Sequence, residues 1–83
     1  MGEEFIGIKE LSDLVGVAPH VLRYWESEFP MLRPSCDHEG RRRYDPTAVR
    51  VTERIRHLLY EDKLTLSGAR SRLEGEVGAL ESE

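Results

Sequence analysis

The chain is nearly without cysteine: Cys36 is the one thiol in 83 residues. An internal disulfide is therefore excluded, and such sparing use of cysteine fits a reducing compartment. Long hydrophobic runs are missing too. No apolar stretch nears the roughly 20 residues that span a bilayer, and the acidic N-terminal stretch is not a signal peptide, so a cytoplasmic location and no membrane partner are expected. Neither a glycine-rich phosphate loop nor a nucleophile elbow occurs, which leaves no signature of an NTPase or a hydrolase. Cys36 and His38 stand two apart with no second pair to complete a zinc site. The expectation is a chain that is not an enzyme and takes no cofactor or metal. Internal repeats and low-complexity blocks are lacking as well. At this length the chain is one small domain with a thin core.

What the chain does have is charge, unevenly placed. Lys and Arg number 12 against 16 Asp and Glu, for a net charge of -4, which taken whole argues against a nucleic-acid partner. Residues 20–60, however, hold eight arginines against six acids, while residues 1–19 hold one lysine against four acids and residues 61–83 three basic residues against six. A cationic middle lies between acidic ends.

Within that middle, residues 17–29 carry the clearest pattern. Val21, Leu22, Trp25 and Phe29 fall at i, i+1, i+4 and i+8, one apolar stripe of a helix. His20, Arg23, Tyr24 and Ser27 share another face. Pro19 suits the first helical turn, and Pro30 stops the helix after Phe29. One face buries Trp, Leu and Phe; the other displays an imidazole, a guanidinium and a phenol, groups that contact phosphates and base edges. The plainer alternative is a core helix with a solvated side, and on this helix alone the two readings stand level.

Ahead of it, residues 1–4 are expected to fray and residues 5–8 predict one short strand. Leu11, Leu14 and Val15, continuing from Ile8, repeat at helical spacing for about two turns, closed by Gly16 where the backbone must turn left-handed. A short helix, a glycine turn and a second amphipathic helix from Ala18 and Pro19 make a helix-turn-helix pattern. Ala18 offers no N-cap oxygen. Beyond it, residues 31–34 and 41–44 predict two short strands around a polar turn. In a strand Arg42 and Tyr44 share one face, Arg41 and Arg43 the other. Three successive arginines exceed what is needed to blunt a sheet edge against aggregation, so the hairpin reads as a DNA-contacting wing.

Asp45 caps and Pro46 opens a third helix, with Ala48, Val49, Val51, Ile55, Leu58 and Leu59 apolar up to about Tyr60, and with Arg50, Arg54, His57 and Glu61 on the polar side. This is a scaffold helix, with His57 and Tyr60 partly buried. Trp25 is expected to pack the preceding helix against the wing. After a break at 61–63, Leu64 tucks in and a fourth short helix spans about 67–73, with Ala69 and Leu73 inward and Gly75 and Gly78 ending it. Residues 75–83, acidic and poor in apolar surface, predict a disordered tail behind a domain of residues 1–74. The fold class expected is mainly α, about four helices with a short β-hairpin wing.

The run Leu22-Arg23-Tyr24-Trp25-Glu26, followed by Gly40-Arg41-Arg42-Arg43-Tyr44, is accompanied by Ile8-Lys9-Glu10-Leu11, Leu14-Val15-Gly16-Val17 and Leu32-Arg33-Pro34. Together these resemble the DNA-binding domain of the MerR family of bacterial transcription regulators, over about residues 6–73. The resemblance implies a winged helix-turn-helix followed by a second helix pair, with a recognition helix over 18–29 in the major groove and a wing over 32–44 on the backbone. It implies that Arg23, Tyr24, Arg42 and Tyr44 match the family's phosphate-clamping positions and that base-facing positions lie near Pro19 and His20. With Arg41 and Arg43 these complete the expected DNA-binding set. Two departures stand out. The link Ser27-Glu28-Phe29-Pro30-Met31-Leu32 carries a Phe-Pro pair in place of the usual Gly-Leu-Leu-like turn. Nothing after Leu73 has the heptad spacing of the long dimerisation helix into which these regulators continue. The chain is either the N-terminal piece of a longer regulator or a single-domain member that assembles on DNA; a homodimer is expected only in a longer parent protein.

The function expected is sequence-specific binding of double-stranded DNA in transcription control. Two others stay open: a module that docks an acidic or DNA-mimicking protein on the same basic face, and an excisionase-like architectural DNA binder.

Overall fold

The computed structural model describes residues 5–32 and 34–81, with side chains through Glu76. The expected fraying of residues 1–4, Arg33 of the wing and the last two residues of the expected tail lie outside the described residues. In order come α1 (Ile8–Val15), α2 (Pro19–Glu28), β1 (Ser35–Cys36), β2 (Arg42–Arg43), α3 (Pro46–Arg56) with a π-helical turn (His57–Glu61), and α4 (Leu66–Glu81). This is the winged helix-turn-helix, mainly α, that the apolar periods predict.

α1 starts at Gly7, whose amide is met by the Glu10 carboxylate reaching back at 3.0 Å, half of a capping box. It ends at Gly16, at φ 75°, where a residue with a Cβ would be strained. Leu11 and Val15 are buried, but Leu14 is 59% exposed, which corrects its place in the stripe. At 100° per residue, Ile8, Leu11 and Val15 cluster on one side, and Leu14 points roughly 90° from their centre. α2 follows after Val17, which is buried, and turns Leu22 and Trp25 into the core, with Phe29 buried at its end. The Phe29 amide still bonds to the Trp25 carbonyl at 2.7 Å, and Leu32 bonds back to Phe29 at 2.9 Å. Residues 29–32 thus turn, with Leu32 inward. The first wing strand therefore begins only at Ser35, later than the 31–34 that residue type suggests.

β1 and β2 pair antiparallel, Ser35 opposite Arg43 and Cys36 opposite Arg42. The strand expected at 5–8 reduces to one bridge, Ile6 to Tyr44, made by two amides at 3.0 and 2.8 Å, because Ile8 already belongs to α1. Asp45 caps α3 by accepting from the Ala48 amide at 2.8 Å, with Pro46 in the first turn. Ala48, Val51, Ile55 and Leu58 are buried, and Val49 and Leu59 pack half-buried against them. The buried Thr52 hydroxyl is satisfied by the Ala48 carbonyl.

Past Arg56 the helix widens into a π turn, closed by the Asp62 amide on the His57 carbonyl. Lys63 then takes a left-handed conformation at φ 60°, and Leu64 bonds back to Leu58 and tucks against the core. Thr65 opens α4 by accepting from the Gly68 amide. α4 is longer than expected. It runs through Gly75 to Glu81, which corrects the boundary at 74 and the tail reading as far as residue 81. A glycine inside a helix costs only about 1 kcal/mol relative to alanine. Here the next residue, Glu76, is gripped by Arg54 of α3 through two bonds of 2.7 and 3.0 Å. That grip holds the Glu76 carboxyl below its ordinary value and the Arg54 guanidinium above its own. The core is one cluster from α1 through α4, to which α4 contributes the fully buried Ala69 and Leu73.

Candidate nucleic-acid interface

The exposed face of α2 carries His20, Arg23, Tyr24 and Ser27, and Pro19 at its start is exposed as well. Tyr24 is half exposed. Ser27 turns its hydroxyl back onto the Tyr24 carbonyl at 2.6 Å, so it is a local brace. The other three side chains make no hydrogen bond or ion pair among the described residues. The N-cap, Ala18, contributes only its carbonyl, which accepts from Val21 and Leu22.

One turn after Arg23, Glu26 joins this helix to the wing. Its carboxylate accepts the Arg42 Nε at 2.9 Å on one oxygen and the Tyr44 hydroxyl on the other. Arg42 and Tyr44 therefore share a strand face, as alternation demands. Arg41 and Arg43, on the opposite face, both direct Nε to Asp37 Oδ2, at 3.2 and 3.3 Å. Asp37 also accepts the amides of Glu39 and Arg41 at 2.9 Å each, the Asx geometry that folds a tight turn. The Arg41 amide above all holds its carboxyl below the usual range. Gly40, at φ 83°, completes the turn by donating to the Asp37 carbonyl. Arg41 pairs in addition with Glu39.

The expected site residues thus fall into two groups. Pro19, His20, Arg23 and Tyr24 present one exposed helix face, and Arg41, Arg42 and Arg43 line the adjoining wing. Tyr44 is placed differently from what a phosphate clamp requires: its ring is fully buried and its hydroxyl is turned to Glu26. Burial first, and Glu26 second, push that hydroxyl well above the ordinary phenol value, so it stays a neutral donor. Arg42 and then Arg23 act on it in the opposite sense. Between wing, Arg23 and the start of α1 lies a concavity of about 430 Å³, lined by Lys9, Arg23, Arg41, Arg42 and Arg43, with Gly7 and Gly40. No carboxylate lines it.

Trp25 lies edge-on to Tyr60, centroids 6.1 Å apart at 60°, with the Arg56 guanidinium 5.9 Å over the Tyr60 ring. Trp25 so braces α2 against the end of α3, where packing against the wing was expected; the joint to the wing falls to Glu26. Tyr60 itself is 47% exposed, with part of its ring covered by Trp25. The set expected from the sequence does not include Glu26, Asp37 or Lys9. Glu26 had a visible signal, its i+3 spacing from Arg23. Asp37 had one too, as the Asx residue three before Gly40.

A family model described as MerR HTH family regulatory protein matches residues 7–76. The chain belongs to the MerR helix-turn-helix family. Comparisons with curated proteins and with solved structures gave no match. MerR-family membership makes this a DNA-binding regulatory protein rather than a member of an enzyme family. In this MerR-type domain the matched segment takes in both helix pairs and the wing. Among the described residues no helix is long and apolar enough to cross a membrane.

Proposed function

We propose that this MerR-family domain binds double-stranded DNA sequence-specifically in transcription regulation, with α2 entering the major groove from its N-terminal end and the wing resting on the backbone. The observation that carries the reading is the Glu26 joint. It holds the exposed face of α2 and the arginine wing as one surface, bordered by a concavity lined by five cations and no acid. Pro19 and His20, in the first turn, face base edges, as the leading turn of a recognition helix does. Arg23, Tyr24, Arg41, Arg42 and Arg43 hold phosphates. Tyr44 serves the same surface from below, by fixing Glu26. Two such domains, paired in a longer parent protein, would occupy the two halves of a two-fold operator.

The test uses a duplex selected from a random pool and a scrambled duplex of equal length, titrated at two salt concentrations. Phosphate contacts serve every sequence alike, while base contacts set preference. Arg42→Ala is expected to weaken both duplexes equally and to flatten the dependence of log K on log salt by about one contact. His20→Ala is expected to narrow the gap between them, by about 1–3 kcal/mol. Binding to an acidic protein, with no duplex bound even at low salt, would replace this reading with that of a protein-docking module.

A further inference from the structure

We infer that the concavity between the first turn of α1 and the wing is a seat for a phosphate group, with Lys9 as a binding residue. The inference deepens the DNA-binding reading, since a backbone phosphodiester is one source of that group; a free polyphosphate is the other.

Lys9 reaches the site by backbone bonding. The two-amide bridge between Ile6 and Tyr44 lays the chain before α1 alongside the wing, and α1 starts two residues later, so its first turn is aimed at the wing arginines. Gly7 lies so near Arg43 that a Cβ there would stand 3.5 Å from the guanidinium Nη1. Gly7 therefore lies directly beside the wing guanidinium, at van der Waals distance. At Gly40 the space that a side chain would take is open. The concavity is thus lined by five cations and by two glycines that add no side chain to it, which allows close approach by a bulky anion.

The cations are not equivalent. Arg42 and Arg43 spend Nε on Glu26 and Asp37, which fixes their planes and leaves the Nη groups for an outside acceptor. Arg41 is tied to both Asp37 and Glu39. Lys9 and Arg23, by contrast, make no ion pair among the described residues. A phosphate oxygen arriving here meets two oriented guanidinium forks from the wing, and two cations from α1 and α2 that break no internal bond to receive it. An ammonium acts as a compact charge without geometric demand, which suits the rim of a seat whose directional donors come from the wing.

The test compares Lys9→Gln, Lys9→Arg and Lys63→Gln, the last an exposed lysine in the turn before α4. Duplex binding is measured across a salt series. Inorganic pyrophosphate is titrated separately while backbone amide signals are followed. The expected result is that Lys9→Gln weakens selected and scrambled duplexes several-fold alike and flattens the log–log salt slope by about 0.9. Lys9→Arg restores both, and Lys63→Gln changes neither. Pyrophosphate should shift the amides of Lys9, Gly40 and Arg41 saturably in the wild type and far less in Lys9→Gln. If Arg42→Ala weakens duplex binding while Lys9→Gln leaves affinity, slope and pyrophosphate response unchanged, the seat is overturned and the DNA reading stands. If no duplex binds but pyrophosphate does, and Lys9→Gln abolishes it, the DNA reading falls and the seat stands with free phosphate as its source.

Discussion

The two ends of α2 are built differently. Its C-terminal half is held from three sides: Trp25 and Phe29 are in the core, Glu26 is bound by the wing, and Glu28 is bound by Arg70 of α4, through its carbonyl at 2.9 Å and its carboxylate at 3.1 Å. Its N-terminal half has no side-chain cap, and Pro19, His20 and Arg23 stand exposed. One helix is thus a structural strut at one end and a display at the other. The polar groups at the display end can engage an outside partner without first breaking an internal bond, and the strut end keeps their direction constant.

Substitutions along α2 should divide accordingly, and the largest effect belongs to the strut. Trp25→Ala is expected to destabilise by about 3–5 kcal/mol, enough to unfold much of so small a domain; a chemical denaturation curve measures it, and an unchanged midpoint would break the division. Glu26→Ala comes next. It strands the buried Tyr44 hydroxyl and frees Arg42, at a cost of about 1–3 kcal/mol, and it should also weaken duplex binding because the wing arginine loses its orientation. Arg70→Ala removes a partly exposed pair and a bond to the last turn of α2, for about 0.5–1 kcal/mol in the same assay. At the display end, His20→Ala should move stability by less than about 0.5 kcal/mol, its effect being confined to binding.

Acid should loosen the join between α3 and α4 as well. The Glu76 carboxyl is held below its ordinary value of 4.5 by the Arg54 hydrogen bonds. A carboxyl depressed on folding adds stability that is complete above the unfolded value and is lost as pH falls through the folded one. Melting temperature should therefore decline as pH drops below about 4.5. Glu76→Gln should flatten part of that decline, by the few tenths of a kcal/mol that a solvent-screened pair supplies.

How much of this could be read in the chain depends on how local the cause is. The stripe of Leu22, Trp25 and Phe29, the left-handed Gly16, the Asp45-Pro46 start and the alternation of Arg41 to Tyr44 are each decided within a few residues, and each is found where the pattern puts it. The exceptions involve partners far along the chain. α4 passes Gly75 because Glu76 meets Arg54, 22 residues earlier, and composition alone made that segment a tail. Tyr44 goes inward because Glu26, 18 residues before it, accepts its hydroxyl. Lys9 joins the cationic concavity only because Ile6 pairs with Tyr44. Leu14 is a different case: it matches a helical spacing yet falls at the margin of a stripe that two turns of helix can fill with Ile8, Leu11 and Val15.

The central claim is that the N-terminal half of α2 and the wing form a single DNA-facing surface. Its most direct test is a titration of the isotope-labelled domain with a selected duplex, following amide signals residue by residue. The account predicts that His20, Arg23, Tyr24 and Gly40 to Arg43 shift together in one saturable process, while Asp13, Leu14, Glu53 and His57, which border a separate cleft between α1 and α3, stay in place. Shifts confined to that α1–α3 cleft, with α2 and the wing unmoved, would contradict it.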